Sequence, residues 1–67
     1  MNKSLLKSFI VRNGDTQSDL AKALGISLSN LNAKVNGAAS FRQTEINLIK
    51  SRYNLTANDI VSIFFAD

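Results

Sequence analysis

The chain contains no cysteine and no histidine. Disulfide staples are therefore excluded, and so are structural zinc sites, which are built from thiolate and imidazole ligands. There is no proline, no low-complexity linker and no internal repeat. Long apolar runs are missing too. The longest are three or four residues, such as Phe9-Ile10-Val11 and Ile63-Phe64-Phe65-Ala66. These fall far short of a membrane span or the core of a signal peptide. A cytosolic protein with no membrane partner is expected. Acidic residues are absent between Asp19 and Glu45, where Lys22, Lys34 and Arg42 all fall. None precedes Asp15 either, although Lys3, Lys7 and Arg12 lie there. The net charge is only +3, but this distribution suits a polyanionic partner as well as an ordinary solvated surface.

With 67 residues, a single domain spanning 1–67 is the ceiling. The hydrophobic share of 45% is that of a globular protein rather than a disordered one. So short a chain buries only about 60% of the surface that it exposes when unfolded. Modest stability is expected, and dimerisation is a common remedy.

Five helices are predicted. The first runs from Lys3 to Asn13, with Leu5, Leu6, Phe9 and Ile10 on one face. The second runs from Gln17 to Leu24, capped by Thr16, with Asp19 at the capping-box position and Leu20, Ala21 and Leu24 apolar. The third runs from Leu28 to about Asn36, capped by Ser27, with Leu31 and Val35 as its buried stripe. The fourth runs from Gln43 to Arg52. Phe41 and Ile46 form a hydrophobic staple and Glu45 sits at the capping-box position, but Arg42 is a poor cap. Its inner face is Ile46, Ile49 and Tyr53, with Leu48 a possible addition. The fifth runs from Ala57 to about Ile63, with a Thr56–Asp59 capping box and a Leu55–Ile60 staple. The closing "SIFFAD" either completes this helix or turns extended. Glycines at 14, 25 and 37 each follow a helical pattern. Only Gly25, Ile26 and Ser27 separate the second and third helices, and so short a link with glycine first fits a sharp helix-turn-helix bend. The expected fold class is all-α, a compact five-helix bundle containing a helix-turn-helix.

The outer side of the third helix is unusual. It carries Ser29, Asn32 and Asn36, with Asn30 and Lys34 beside them and Leu28 and Ala33 as apolar members. Asn and Ser are weak helix formers, and a helix chosen for stability alone would carry Glu, Lys, Arg or Ala there. The choice makes sense if these side chains meet hydrogen-bonding edges in a partner. The DNA major groove admits one helix and presents such edges. Asn bonds adenine with two hydrogen bonds, Ser serves either base, and Ala or Leu touches a thymine methyl. Leu28 either makes such a methyl contact or packs against the second helix. The capped N-termini of the second and third helices offer N–H groups suited to phosphate oxygens, and Gln17 can add a side-chain bond there. Ser27, Lys34 and Arg42 are further phosphate candidates.

Thr16-Gln17, Leu20-Ala21, Leu24-Gly25-Ile26-Ser27, Leu31 and Asn36-Gly37 together resemble the helix-turn-helix of the phage Cro and repressor family. The stretch "FRQTEINLIKSRYNLTANDIVSIFFAD" is similar to the second half of small Cro-like phage proteins from Gram-positive hosts, so the resemblance covers nearly the whole chain. It implies that the third helix enters the major groove and that the second crosses above it, in a symmetric dimer on an operator of two half-sites. It implies base contacts from Leu28, Ser29, Asn32 and Ala33, and phosphate contacts from Gln17 and Asn36. Many relatives have Gln, Arg or Lys at the positions of Leu28, Ser29 and Ala33. The smaller, weakly polar set here points to methyl contacts and DNA shape. Phe64 and Phe65 are the candidate dimer-interface residues, although at least one of them is expected inside the bundle.

The expected partners are double-stranded operator DNA and a second copy of the chain, with no cofactor, metal or small-molecule ligand. The competing reading is an antitoxin or adaptor on the same fold, binding another protein through "SIFFAD". An enzyme is not expected. There is no His or Cys, no paired carboxylate in an evident cleft and no phosphate-cradling loop.

Overall fold

Four of the five helices begin where a short polar side chain intercepts a free amide. In the computed structural model, which describes residues 1–66, α1 spans Lys3–Arg12, α2 Gln17–Leu24, α3 Leu28–Val35, α4 Gln43–Arg52 and α5 Ala57–Phe64. Thr16 and Asp19 exchange hydrogen bonds of 2.9 and 3.1 Å at the head of α2. Thr56 and Asp59 repeat the arrangement at α5 with the same two distances. The Ser27 hydroxyl accepts the Asn30 amide at 3.0 Å. Asn2, which the sequence reading left unassigned, caps α1 by accepting from Leu5 N–H at 3.1 Å. Each such cap satisfies one of the orphan donors of a helix start, and losing one costs about 1 kcal/mol.

No strand occurs among the described residues, so the domain is all-α. Its extents of 27 × 25 × 21 Å and its radius of gyration of 10.7 Å match the roughly 11 Å expected of a compact chain of this length. Leu6, Ile10, Leu20, Ala21, Leu31, Val35, Ile49, Tyr53, Leu55 and Ile63 form one core. Every helix contributes to it or flanks it. Leu5, Phe9, Leu24, Ile26, Phe41, Ile60 and Phe64 pack around the rim. Ile26, in the turn, thus fills the corner between α2 and α3. Leu48 does not join them. It is 39% exposed, because it falls off the stripe that buries Ile46 and Ile49.

Boundaries shift by one residue from the sequence reading. Asn13 and Asn36 are C-caps rather than helical residues, and α5 continues through Phe64 with Phe65 as its cap. "SIFFAD" therefore finishes a helix up to Phe64, and its last residue, Asp67, lies outside the described residues. The main chain of α1 begins against the end of α5, where Asn2 N–H donates to the Ile63 carbonyl at 2.7 Å. Among the described residues no helix is long and apolar enough to cross a membrane.

Left-handed geometry sets the turns that follow both α2 and α4. Gly25 ends α2 at φ 72°, and Asn54 ends the α4 region at φ 52°. Asn tolerates this region better than other residues with a Cβ. A Cβ at Gly25 would meet nothing within 4 Å, so its cost would be purely one of backbone conformation. Gly25→Ala is therefore expected to destabilise by about 1 kcal/mol, lowering the melting temperature by roughly 4–8 °C. Gly25→Asn should lose less. Thermal unfolding followed by circular dichroism checks both.

Candidate nucleic-acid interface

The pair α2 and α3 is the site's frame. Gly25 N–H bonds back to the Lys22 carbonyl at 3.1 Å and Ile26 N–H to the Ala21 carbonyl at 3.0 Å, closing α2. Two residues later Ser27 opens α3. Leu31 and Val35 are buried against the core, which turns the opposite face of α3 outward. That face carries Ser29 and Asn32, both exposed, together with Leu28 at 42% exposure and a half-buried Ala33. Ser29 and Asn32 are the open part of this strip, while Ala33 is partly covered. The side chains of Ser29 and Asn32 make no hydrogen bond among the described residues, so their donors and acceptors face solvent. Leu28 is partly covered but keeps apolar surface open to solvent.

The expected phosphate contacts are placed unevenly. Gln17, the first residue of α2, is half-buried and shares a shallow groove with Lys7, Ile10 and Val11. Ser27 is exposed, and its hydroxyl still has a proton to donate after accepting from Asn30. Asn36, at the other end of α3, is exposed, and its Oδ1 lies 3.5 Å from Lys3 Nζ. Arg42 is exposed at the head of α4. Lys3 and Lys7 thus bring charge from α1 to residues at the two ends of the α2–α3 unit. Both lie off the apolar face of α1, and these neighbours come from tertiary packing.

Lys34 corrects the sequence reading. It is buried, at 7% exposure, and its ammonium lies 2.6 Å from Glu45 Oε1. The ammonium also donates to the Ser40 carbonyl at 3.3 Å. An ammonium enclosed in this way has no face left for a phosphate. Sequence held a signal for it, since Leu31, Lys34 and Val35 share one helical stripe. The same carboxylate explains the poor cap. Arg42 offers only donors, so it cannot cap α4 with its side chain. Glu45 Oε1 instead accepts Arg42 N–H at 2.7 Å. Burial pushes the Glu45 carboxyl up, but the bonds from Lys34 and Arg42 N–H outweigh it and hold the group below its ordinary value.

A second charged cluster fixes the loop before α2. Arg52 grips Asp15 through two bonds of 2.7 and 3.0 Å, and the Tyr53 hydroxyl donates to Asp15 at 2.8 Å. The Arg52 and Tyr53 bonds hold the Asp15 carboxyl below the usual carboxylate range. Burial and the neighbouring Asp15 push the Tyr53 phenol well above its own. Backbone and hydroxyl bonds from Thr16 lower Asp19 likewise. Among the described residues no group of acidic, histidine or cysteine side chains is placed to hold a metal ion.

The candidate dimer residues diverge. Phe64 is half-buried and packs edge-on against Phe41, with ring centroids 5.2 Å apart and planes at 77°. Phe64 therefore belongs to the rim of the core. Phe65 is 63% exposed, and Val61, one turn earlier, is 56% exposed. An unpaired apolar strip thus runs along α5.

Two outcomes follow from the charged groups. Asp15, Asp19 and Glu45 bind protons less readily folded than unfolded, so stability holds above their unfolded values and falls as the pH drops below about 4. Urea midpoints measured from pH 7 to pH 3 should decline, and Glu45→Gln should remove part of that decline. Lys34→Ala strands a buried carboxylate and is expected to cost about 3 kcal/mol, whereas Lys34→Met with Glu45→Gln should recover most of the loss. Asn32→Ala, at an exposed position, should stay within about 0.5 kcal/mol of the parent in the same assay.

Compared with protein-family models, with curated proteins and with solved structures, the chain finds no match.

Proposed function

We propose that this chain is a sequence-specific DNA-binding regulator of transcription, of the Cro type that its sequence resembles, with α2 and α3 acting as a helix-turn-helix. The observation that carries this reading is the open strip on α3. Leu28, Ser29, Asn32 and Ala33 lie along one outward side of a helix whose other side is committed to the core. A helix of eight residues is about 12 Å long, and the major groove is about 12 Å wide. Asn32 is the natural bidentate partner for adenine, Ser29 bonds either base, and Leu28 and Ala33 suit thymine methyls. Phosphates would be met by Gln17, Ser27, Asn36 and Arg42, with Lys3 and Lys7 added from α1. Lys34 takes no part as a contact, because its charge is spent on Glu45.

A second copy of the chain is the partner proposed for α5. The exposed Val61 and Phe65 supply an apolar strip, and two-fold pairing would match an operator of two half-sites. The same strip supports the alternative of an antitoxin or adaptor that binds a different protein. The two differ in what copurifies. A stoichiometric foreign partner, with DNA binding indifferent to Asn32→Ala, would favour the adaptor.

Selection of bound duplexes from a random pool, followed by gel-shift titration, tests the proposal. The expected result is a two-fold symmetric consensus and a salt-sensitive shift at or below micromolar protein. The absence of any sequence-selective shift would sink it. Asn32→Ala is expected to cost roughly 1–3 kcal/mol on the selected site and to relax preference at one position per half-site. Phe65→Glu should leave the fold intact and turn a dimer into a monomer in sedimentation equilibrium. An unchanged assembly state would move the interface elsewhere.

A further inference from the structure

Lys34 is carried by α3, but its ammonium serves neither the exposed strip nor the apolar core. It joins three segments. It rides on α3, donates to the Ser40 carbonyl in the following loop, and pairs with Glu45 in the first turn of α4. Through the shared Oε1 it also neighbours the amide of Arg42. The loop residues Gly37, Ala38, Ala39 and Ser40 are small and exposed, so side-chain packing does not fix their course. Their backbone bonds to α3 end with Ala39 N–H on the Ala33 carbonyl at 3.2 Å. Beyond that point, Arg42 is held by the Ser40 carbonyl on Lys34, by its own amide on Glu45, and by Phe41 against Phe64. The first two of these ties meet at the Lys34–Glu45 pair.

The geometry points to Lys34 as a positioning residue for DNA binding, whose buried charge fixes the spacing between the strip on α3 and the phosphate contact of Arg42. The inference rests on the DNA-binding reading above. Phosphates recur along a duplex at fixed intervals, so a backbone contact adds affinity only if it stays in register with the base-facing residues. A loop of small residues wandering on its own would have to be ordered at the moment of binding, at an entropic cost. The ammonium supplies that order in advance.

The test compares the parent chain with Arg42→Ala, with the pair Lys34→Met/Glu45→Gln, and with all three changes combined, on the selected duplex between 50 and 200 mM salt. The paired change keeps the net charge and keeps an acceptor for Arg42 N–H, so it removes the tether without altering the long-range field. Arg42→Ala should lower the slope of log K against log salt by about 1. The paired variant, verified as folded, should lower it by about the same amount, and adding Arg42→Ala to it should change nothing more. If the paired variant does not fold, Lys34→Leu with Glu45→Gln takes its place with the same expectation, since it too keeps the net charge and strands no buried carboxylate. A parental slope in the variant lacking the ammonium, with Arg42→Ala still fully effective in that background, would reduce Lys34 to a purely structural residue and overturn the inference. So would an Arg42→Ala variant that binds like the parent. Failure of the parent chain to select any duplex is a different result, and it removes the functional reading itself.

Discussion

Two turns of helix cannot stand alone in water, and α3 has little more than that. It exists because Leu31 and Val35 are withdrawn from solvent into the core, next to Leu20 and Ala21 of α2. Burial of two such side chains is worth a few kcal/mol, comparable with the whole net stability of a domain this small. That single requirement fixes the rotation of α3 about its own axis. Once Leu31 and Val35 point inward, Ser29 and Asn32 must point outward, whatever they are there to do. The chemistry of the strip and the stability of the fold are therefore read from opposite sides of one helix. Substitutions on the two sides have separable effects.

The buried ion pair belongs to the same frame but follows a different logic. Taking an ammonium and a carboxylate out of water is costly, and their attraction in a protein interior does little better than offset it. An apolar pair would serve stability equally well. What an apolar pair cannot do is hold a carbonyl and an amide in the adjoining loop. Lys34 and Glu45 do this, since the loop's Ser40 carbonyl and the Arg42 amide are both bound to them. Directional bonds suit a stretch of Gly, Ala and Ser, which has almost nothing to pack.

Most of the architecture was legible in the sequence because its determinants are local. Thr16 with Asp19, Thr56 with Asp59, and Ser27 before Leu28 are capping arrangements spanning four residues or fewer, and all are in place. The apolar stripes located the core to within a few positions, with Leu48 the residue that fell outside. The candidate strip was legible for the same reason, as the complement of a buried stripe. What escaped were partners distant in the chain. Lys34 and Glu45 are 11 residues apart across a loop, and Asp15 and Arg52 are 37 apart. A charged residue is assumed solvated unless its partner is known, and the partner is known only once the helices are docked. The periodicity that buries Leu31 and Val35 also buries Lys34, and its charge masked that. Arg42 at a cap position was the other trace, an oddity resolved by Glu45 reaching back from within the helix.

The clamp of Arg52 and Tyr53 on Asp15 has a consequence for how the molecule is perceived from a distance. A guanidinium and a carboxylate joined by two short bonds form a dipole, and the field of a dipole fades faster than that of a lone charge. The Lys34–Glu45 pair cancels in the same way. The far field is thus shaped by the cations that remain exposed outside these two pairs, Lys3, Lys7, Arg12, Lys22, Arg42 and Lys50. A charged body drifting towards the molecule meets the field of these unpaired cations before any atom touches it.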